Sequence, residues 1–364
     1  MAALPAPTAD QLRADILAIP QEVAAGVVPS RSRQAQRHWE IWCSFCDSLG
    51  IHPSLATARD PIPYLQIFAR RYRDGRLAPS GRPVRSRTVE DALRSVGQAF
   101  SALGAPDPRE SSTNKIDFRL HRQLRGYKRE DPAPTRVRPI PWGALQEAQR
   151  IATSPAGTQR ELALTDLMWL AFYFLLRPGE YLHTTTEHAF RLQDILLRVA
   201  DVDYSATTIP IPLLDQVTFA GLTFTEQKNG IKGEVIGLTP SGDPHACAVR
   251  ALARRIQHLR EHQARPDAKL YTYFDRQKRP HHLGSTHLTE LLRLACTLRQ
   301  LPTDTVSARA LRATGATALL QGRVPLALIQ LVGRWRSDEV FRYLHTQSET
   351  LMQPLATTMR QHAP

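Results

Sequence analysis

The sequence predicts a mainly α-helical chain with one small antiparallel β-sheet, divided into two domains. Three observations carry that expectation. Apolar residues recur at helical spacing through most of the 364 residues. Only the stretch from about 190 to 240 turns β-rich, with Val199, Val202, Ile209, Ile211, Val217, Leu222, Phe224, Val235 and Ile236. Residues 130–141, EDPAPTRVRPIP, hold four prolines in twelve, the composition of a stiff linker. The expected organisation is an arm over 1–29, a helical domain over 30–130, a linker over 131–141 and a second domain over 142–364. The length suits two or three domains of ~100–200 residues each.

Taken in order, the first strong helix starts near Ala35. Its apolar face is Ala35, Trp39, Trp42, Cys43, Cys46 and Leu49, and Gly50 closes it. Cys43 and Cys46 form a C-x-x-C on that apolar stripe, with no second such pair in the chain. They read as small buried hydrophobes rather than metal ligands. A second helix starts near Thr88, with Asp91 placed to cap it. It presents Val89, Ala92, Leu93, Val96, Phe100 and Leu103 on one face and ends at Gly104. Beyond the linker, Trp142 to Ile151 and Arg160 to Leu176 read as helices, the second apolar enough to be buried all round. Asn229-Gly230 marks a hairpin turn between two strands. Helices resume through Val249 to Leu259, Thr286 to Leu298 and Ala308 to Gln321. Pro325 opens a last one that stops at Gly333. His281, His282 and His287 match no metal spacing and are expected in an exposed loop.

Charge narrows the function. The chain carries 47 Lys+Arg against 34 Asp+Glu, net +13, and all but six of those cations are arginine. Arginine's planar fork suits bidentate phosphate contacts, which points to a polyanion. Residues 70–129 hold 15 basic and 6 acidic side chains, so +9 of the +13 lies in one-sixth of the chain. Arg70, Arg71, Arg73, Arg85, Arg87, Arg122, Arg125 and Lys128 are therefore expected to grip a DNA backbone. The longest apolar run, Leu167 to Leu176, is half the ~20 residues of a membrane span. Met1 to Pro20 lacks a basic n-region, so no secretory leader is expected, and four cysteines make no disulfide framework.

Four segments carry residues suited to chemistry. Arg177 emerges from the apolar FLLRPGEYL with Glu180 one turn on, an ion pair that can be structural or functional. Lys228 lies beside the hairpin turn. Arg309 and Arg312 stand a helical turn apart, so both can address one anion. GRWRSDEVFRYLH supplies Arg334, Trp335, Arg342 and Tyr343.

Together, their order and spacing resemble the signature of the tyrosine recombinases, the phage-integrase type of DNA strand-exchange enzyme. In that family an Arg is followed three positions later by an acid, as Arg177 and Glu180 stand here. A Lys on a β-hairpin follows, then His-x-x-Arg within a helix, where Arg309-Ala-Leu-Arg312 falls. Gly-His or Gly-Trp comes next, with the nucleophilic Tyr nine residues on, a spacing kept by Gly333-Arg334 and Tyr343. LLRPGEY, QKNGIKGE, LRATGA and LVGRWRSDEVFRYLH resemble recombinases of eukaryotic mobile elements, in which G-R-W replaces G-H. The resemblance spans roughly residues 142–350. The basic N-terminal helices are more loosely similar to the family's SAM-like core-binding domain.

The resemblance implies a two-domain clamp on double-stranded DNA, acting as a tetramer with no metal and no cofactor. It implies Tyr343 as the nucleophile that forms a 3′-phosphotyrosyl link, with Arg177 and Arg312 clamping the phosphate and Glu180 orienting Arg177. Lys228 would protonate the leaving 5′-oxygen. Arg309 and Arg334 stand where the family has His or Lys and His or Trp; arginine keeps its proton, so they would bind phosphate rather than act as bases. Trp335 could supply the aromatic packing of the Trp-type members. Integration, excision or transposition of a mobile element is the implied activity, in the nucleus of a eukaryote or otherwise in the cytoplasm. Two rivals share these features: a DNA-binding protein that has lost turnover, and a type IB topoisomerase-like enzyme. The stretch Leu351 to Met359 is amphipathic and suits either packing on its own domain or a contact between subunits.

Overall fold

A computed structural model describes residues 11–15, 17–18, 22, 26, 29–110, 115–133, 138–184, 188–225, 233–335 and 340–341. The chain divides into two compact units, Met1–Pro134 and Thr135–Pro364.

The first unit is helical: α1 (Pro29–Asp47), α2 (Ile62–Arg73), α3 (Ser86–Ala102) and α4 (Phe118–Glu130). Its core joins Trp42, Phe45 and Cys46 of α1 to Leu65, Phe68 and Tyr72 of α2, with Val89, Leu93, Val96 and Phe100 of α3. The Trp42 and Phe68 rings meet edge to face at 5.2 Å, and the buried indole N–H donates to the Pro53 carbonyl at 3.0 Å. The α1 face turns more toward His38 and Phe45 than its spacing predicts, leaving Leu49 exposed. Cys46 is fully buried, and burial pushes its thiol up to about 12, as expected of a packing residue. Two expectations for α3 are corrected. It begins at Ser86 with no side-chain cap, so Asp91 lies past the first turn and pairs with Arg94 at 2.9 Å. Leu103 lies past the last helical turn and is 76% exposed.

The second unit builds on α6 (Gln159–Tyr173), which packs against α5 (Trp142–Thr153), α8 (Ala248–Glu261) and α10 (Ala310–Gln321). Thr158 and Glu161 form a reciprocal cap at its start, satisfying two backbone donors. Every residue from Ala163 to Phe172 is buried, so the helix lies at the centre of the core. One turn, α7 (Pro178–Tyr181), follows it. The sheet is antiparallel with order β2-β1-β3-β4: β1 (Ile195–Val199), β2 (Val202–Ser205), β3 (Phe219–Phe224) and β4 (Glu234–Leu238). Ile211 falls in a 3-10 turn (Ile211–Gln216), and Ile209 and Val217 lie just outside it, so none of the three is in a strand.

A two-stranded hairpin, β5 (Thr272–Phe274) and β6 (Pro280–His282), precedes α9 (Ser285–Leu298). His281 and His282 therefore sit on a strand, and His287 on the first turn of α9, rather than in the expected loop. The last helix among the described residues is α11 (Leu326–Gly333). Gly315 lets α10 approach the end of α6: a Cβ there would lie 2.1 Å from the Phe172 carbonyl oxygen.

Candidate active site

The buried helix α6 ends at Tyr173, and Leu175 then takes a left-handed turn with φ 51°. That reversal delivers Arg177 to the N-cap of α7, where Pro178 occupies the first helical position and lacks the donor that would be orphaned there. Glu180 folds back on this turn. Its Oε2 accepts the Arg177 backbone N–H at 2.8 Å, and its Oε1 accepts Arg177 Nη1 at 3.0 Å. The Arg177 side chain keeps about a third of its surface open to solvent, while Glu180 is buried. An open fork on a fixed carboxylate is an arrangement that can take a phosphate oxygen.

Arg334 corrects the expectation that it binds phosphate directly. It terminates α11 in a left-handed conformation, φ 55°, and its side chain is only 1% exposed. Arg334 Nη2 donates to Glu180 Oε2 at 2.9 Å and to the Leu175 carbonyl at 3.3 Å, and Nη1 donates to Phe174 and Val332 carbonyls. Its guanidinium also lies 4.0 Å from the Phe224 ring centroid. Burial pulls the guanidinium down from its usual range, and the Glu180 charge opposes the shift. Arg334 thus joins the end of α6, the Glu180 turn and the end of strand β3 from within.

Arg312 lies on the first turn of α10 and is buried. It donates to the Gly333 carbonyl and stacks 4.3 Å from the Trp335 ring centroid. Trp335 belongs to a small core with Leu175, Ala316, Ile329 and Val340. The consecutive residues 333–335 therefore connect the Arg312 contacts with the Glu180 network. Arg309 is placed differently from its partner: it is the exposed N-cap residue of α10, not a helical one. The segment before it is pinned by the buried Tyr181 hydroxyl, which donates to the Ala308 carbonyl at 3.0 Å. Thr289 Oγ1 accepts the Ala308 N–H at 3.1 Å. Lys228, Arg342 and Tyr343 lie outside the described residues. The strands flanking Lys228 do pair, down to Phe224 opposite Glu234. The sequence marked Phe224 only as a strand residue and Tyr181 only as part of LLRPGEY, because the contacts of each are with distant segments.

On the first unit, Arg70, Arg85, Arg87, Arg122, Arg125 and Lys128 are exposed, as a backbone-gripping set requires. Arg125 and Lys128 border a groove of about 960 Å³ between α3 and α4, floored by Leu93, Leu120 and Leu124. Arg71 is half-buried near the Phe45 ring. Arg73 departs from the expectation: it pairs with Asp131 at 2.5 Å, donates to the Val84 carbonyl and stacks on Tyr127. With Ser86 also bound to Asp131, Arg73 ties α2, α3 and the end of α4 together.

No family model matches the chain, and no curated protein does. Solved structures do. A Tn1549 transposon integrase in complex with a circular intermediate DNA aligns at TM-score 0.54 and 14% identity, covering 94% of this chain and 98% of that one. The same integrase with transposon right end DNA aligns at 0.53 and 14% identity, covering 96% and 98%. XerH site-specific recombinase bound to palindromic difH substrate aligns at 0.51 and 15% identity, covering 83% and 73%. The chain thus has the fold of these recombinases, mainly helical with a small antiparallel sheet.

Proposed function

We propose that the chain is a site-specific DNA recombinase that works through a phosphotyrosyl intermediate. The observation that carries this reading is Glu180 holding Arg177 about a third open to solvent while Arg312 and the 333–335 segment pack beside the same network, within a fold similar to DNA-bound integrases.

In this reading the Tyr343 hydroxyl gives up its proton to water as its oxygen attacks a backbone phosphorus. The P–O5′ bond breaks, the 3′ end stays linked to the tyrosine, and the 5′-oxygen takes a proton from Lys228. A 5′-hydroxyl of the partner strand then reverses the step, so the energy of the phosphodiester is kept and no nucleotide is consumed. Charge gathers on the non-bridging oxygens as the phosphorus becomes five-coordinate. Arg177 and Arg312 supply the fixed cations that stabilise this state more than the starting phosphodiester. Glu180 and Arg334 hold Arg177 in place before the substrate arrives, and Arg309 reaches the phosphate from the surface. The arginines of α2, α3 and α4 hold the duplex, and assembly into a tetramer would bring two sites together.

A nicked suicide duplex carrying the cognate site tests the reading. The wild-type chain should form a covalent DNA adduct that Tyr343→Phe abolishes. DNA binding without any adduct would favour a protein that has lost turnover. Relaxation of plasmid lacking that site, with no strand exchange, would favour the topoisomerase-like alternative.

A further inference from the structure

The β5–β6 hairpin carries a cluster that the reaction does not use. Its turn bears Arg276, Lys278 and Arg279, all exposed, with His281 and His282 on the returning strand. The turn is stiff. Asp275 Oδ1 accepts the Gln277 and Arg279 backbone N–H groups, both at 2.9 Å, and Oδ2 lies 2.9 Å from both Arg279 Nε and His281 Nε2. These partners hold the Asp275 carboxyl well below the usual carboxylate range, His281 contributing most. Three rings support the base of the hairpin: His183, Tyr271 and His282 have centroids 5.4–5.6 Å apart.

This hairpin is fastened to the candidate active site within the same unit. The His183 N–H donates to the Leu283 carbonyl at 2.8 Å, and His183 bridges Gly284, only six residues after Arg177. We propose that the hairpin is a second contact to the DNA backbone, flanking the phosphate held by Arg177. Its ligand is the run of phosphates on one strand. The inference rests on the recombinase reading for its location and on the hairpin itself for its chemistry. Three exposed cations on a preorganised turn suit a polyanion, whereas an acidic protein partner would need an apolar anchor. No large hydrophobic side chain is exposed between residues 271 and 288.

Binding of the full chain to a random-sequence duplex, followed by fluorescence anisotropy across a salt series, tests the proposal. Arg276→Gln/Lys278→Gln should weaken binding several-fold and flatten the slope of log affinity against log salt by about 2, with unchanged melting. Arg279→Gln separates contact from turn stiffness, since it should flatten the slope further even if melting drops slightly. Unchanged affinity and slope in a chain that binds DNA would overturn the hairpin contact alone. So would variants that lose binding to polyglutamate but keep it to DNA. A missing covalent adduct with hairpin-dependent binding intact would instead sink the recombinase reading and leave the contact standing.

Discussion

Arg334 Nη2 and Glu180 Oε2 lie 2.9 Å apart, and both side chains are buried. The other oxygen of the same carboxylate holds Arg177 at 3.0 Å. One buried negative charge thus serves two cations. Replacing Glu180 by Gln keeps the shape but puts an amide donor in place of one of the two oxygens, facing a guanidinium, and leaves the buried Arg334 charge uncompensated. Removing one partner of a buried pair costs about 3–5 kcal/mol. Glu180→Gln should therefore lower the urea midpoint substantially and reduce adduct formation as well. Unfolding and cleavage measured on one preparation check both effects.

Arg309 and Arg334 should part company under mutation. Arg309 is exposed, so Arg309→Gln should stay within about 0.5 kcal/mol of wild-type stability. If it reaches the phosphate, adduct yield should fall about 10²–10³-fold, the usual loss for one transition-state donor. Arg334→Lys should destabilise instead, because an ammonium cannot serve Glu180 and three carbonyls at once. A stable Arg334→Lys chain with lost cleavage would show that the fold does not depend on this residue.

Gly315→Ala should destabilise the second unit by about 1–3 kcal/mol despite alanine's better helix propensity. The new methyl would meet the Phe172 carbonyl oxygen at 2.1 Å and Leu175 Cδ2 at 2.5 Å. Because Leu175 also accepts from Arg334, cleavage should fall with stability. Thermal melting and adduct yield together follow the effect.

Arg73 and Arg70 provide a matched test on the first unit. Arg73→Ala breaks the link to Asp131 and Val84 and should lower the melting temperature by several degrees. Arg70→Ala should leave melting unchanged and weaken duplex binding, with the salt slope reduced by about 1.

Acid should weaken the second unit through His258. Burial, with Arg255 and His262 nearby, pulls its imidazole down to about 4, and its Nε2 accepts the Phe274 N–H at 3.0 Å. In the unfolded chain it titrates near 6.5, so between those values the unfolded state binds the extra proton. Its contribution is complete above pH 6.5 and is lost as pH falls toward 4. The urea midpoint should drop over that window, and less steeply in His258→Gln, which cannot titrate.

Helix positions were legible because helical spacing of apolar residues is local information: the faces of α3 and α6 are written in their own sequences. The Arg177–Glu180 pair was legible for the same reason, since three residues of one turn make it. Arg334 was not. Its direction depends on a left-handed backbone and on a carboxylate 154 residues away in sequence. The same holds for Arg73, whose charge looks like its neighbours' until Asp131 folds beneath it. The β5–β6 hairpin escaped notice because its strands are three residues each, too short for an alternating pattern.

The burial of Arg334 also constrains how this sequence could change over generations. A single step to histidine at this position would strand the carboxylate of Glu180 and the carbonyls of Phe174 and Leu175 in one substitution. Compensation would have to arise on segments far apart in the chain, including the aromatic face of Phe224. Such positions are epistatic: neutral routes between the two forms run through paired replacements, and isolated ones meet a stability barrier. Swapping this short region between chains of this fold would succeed only when the turn at Glu180 travels with it.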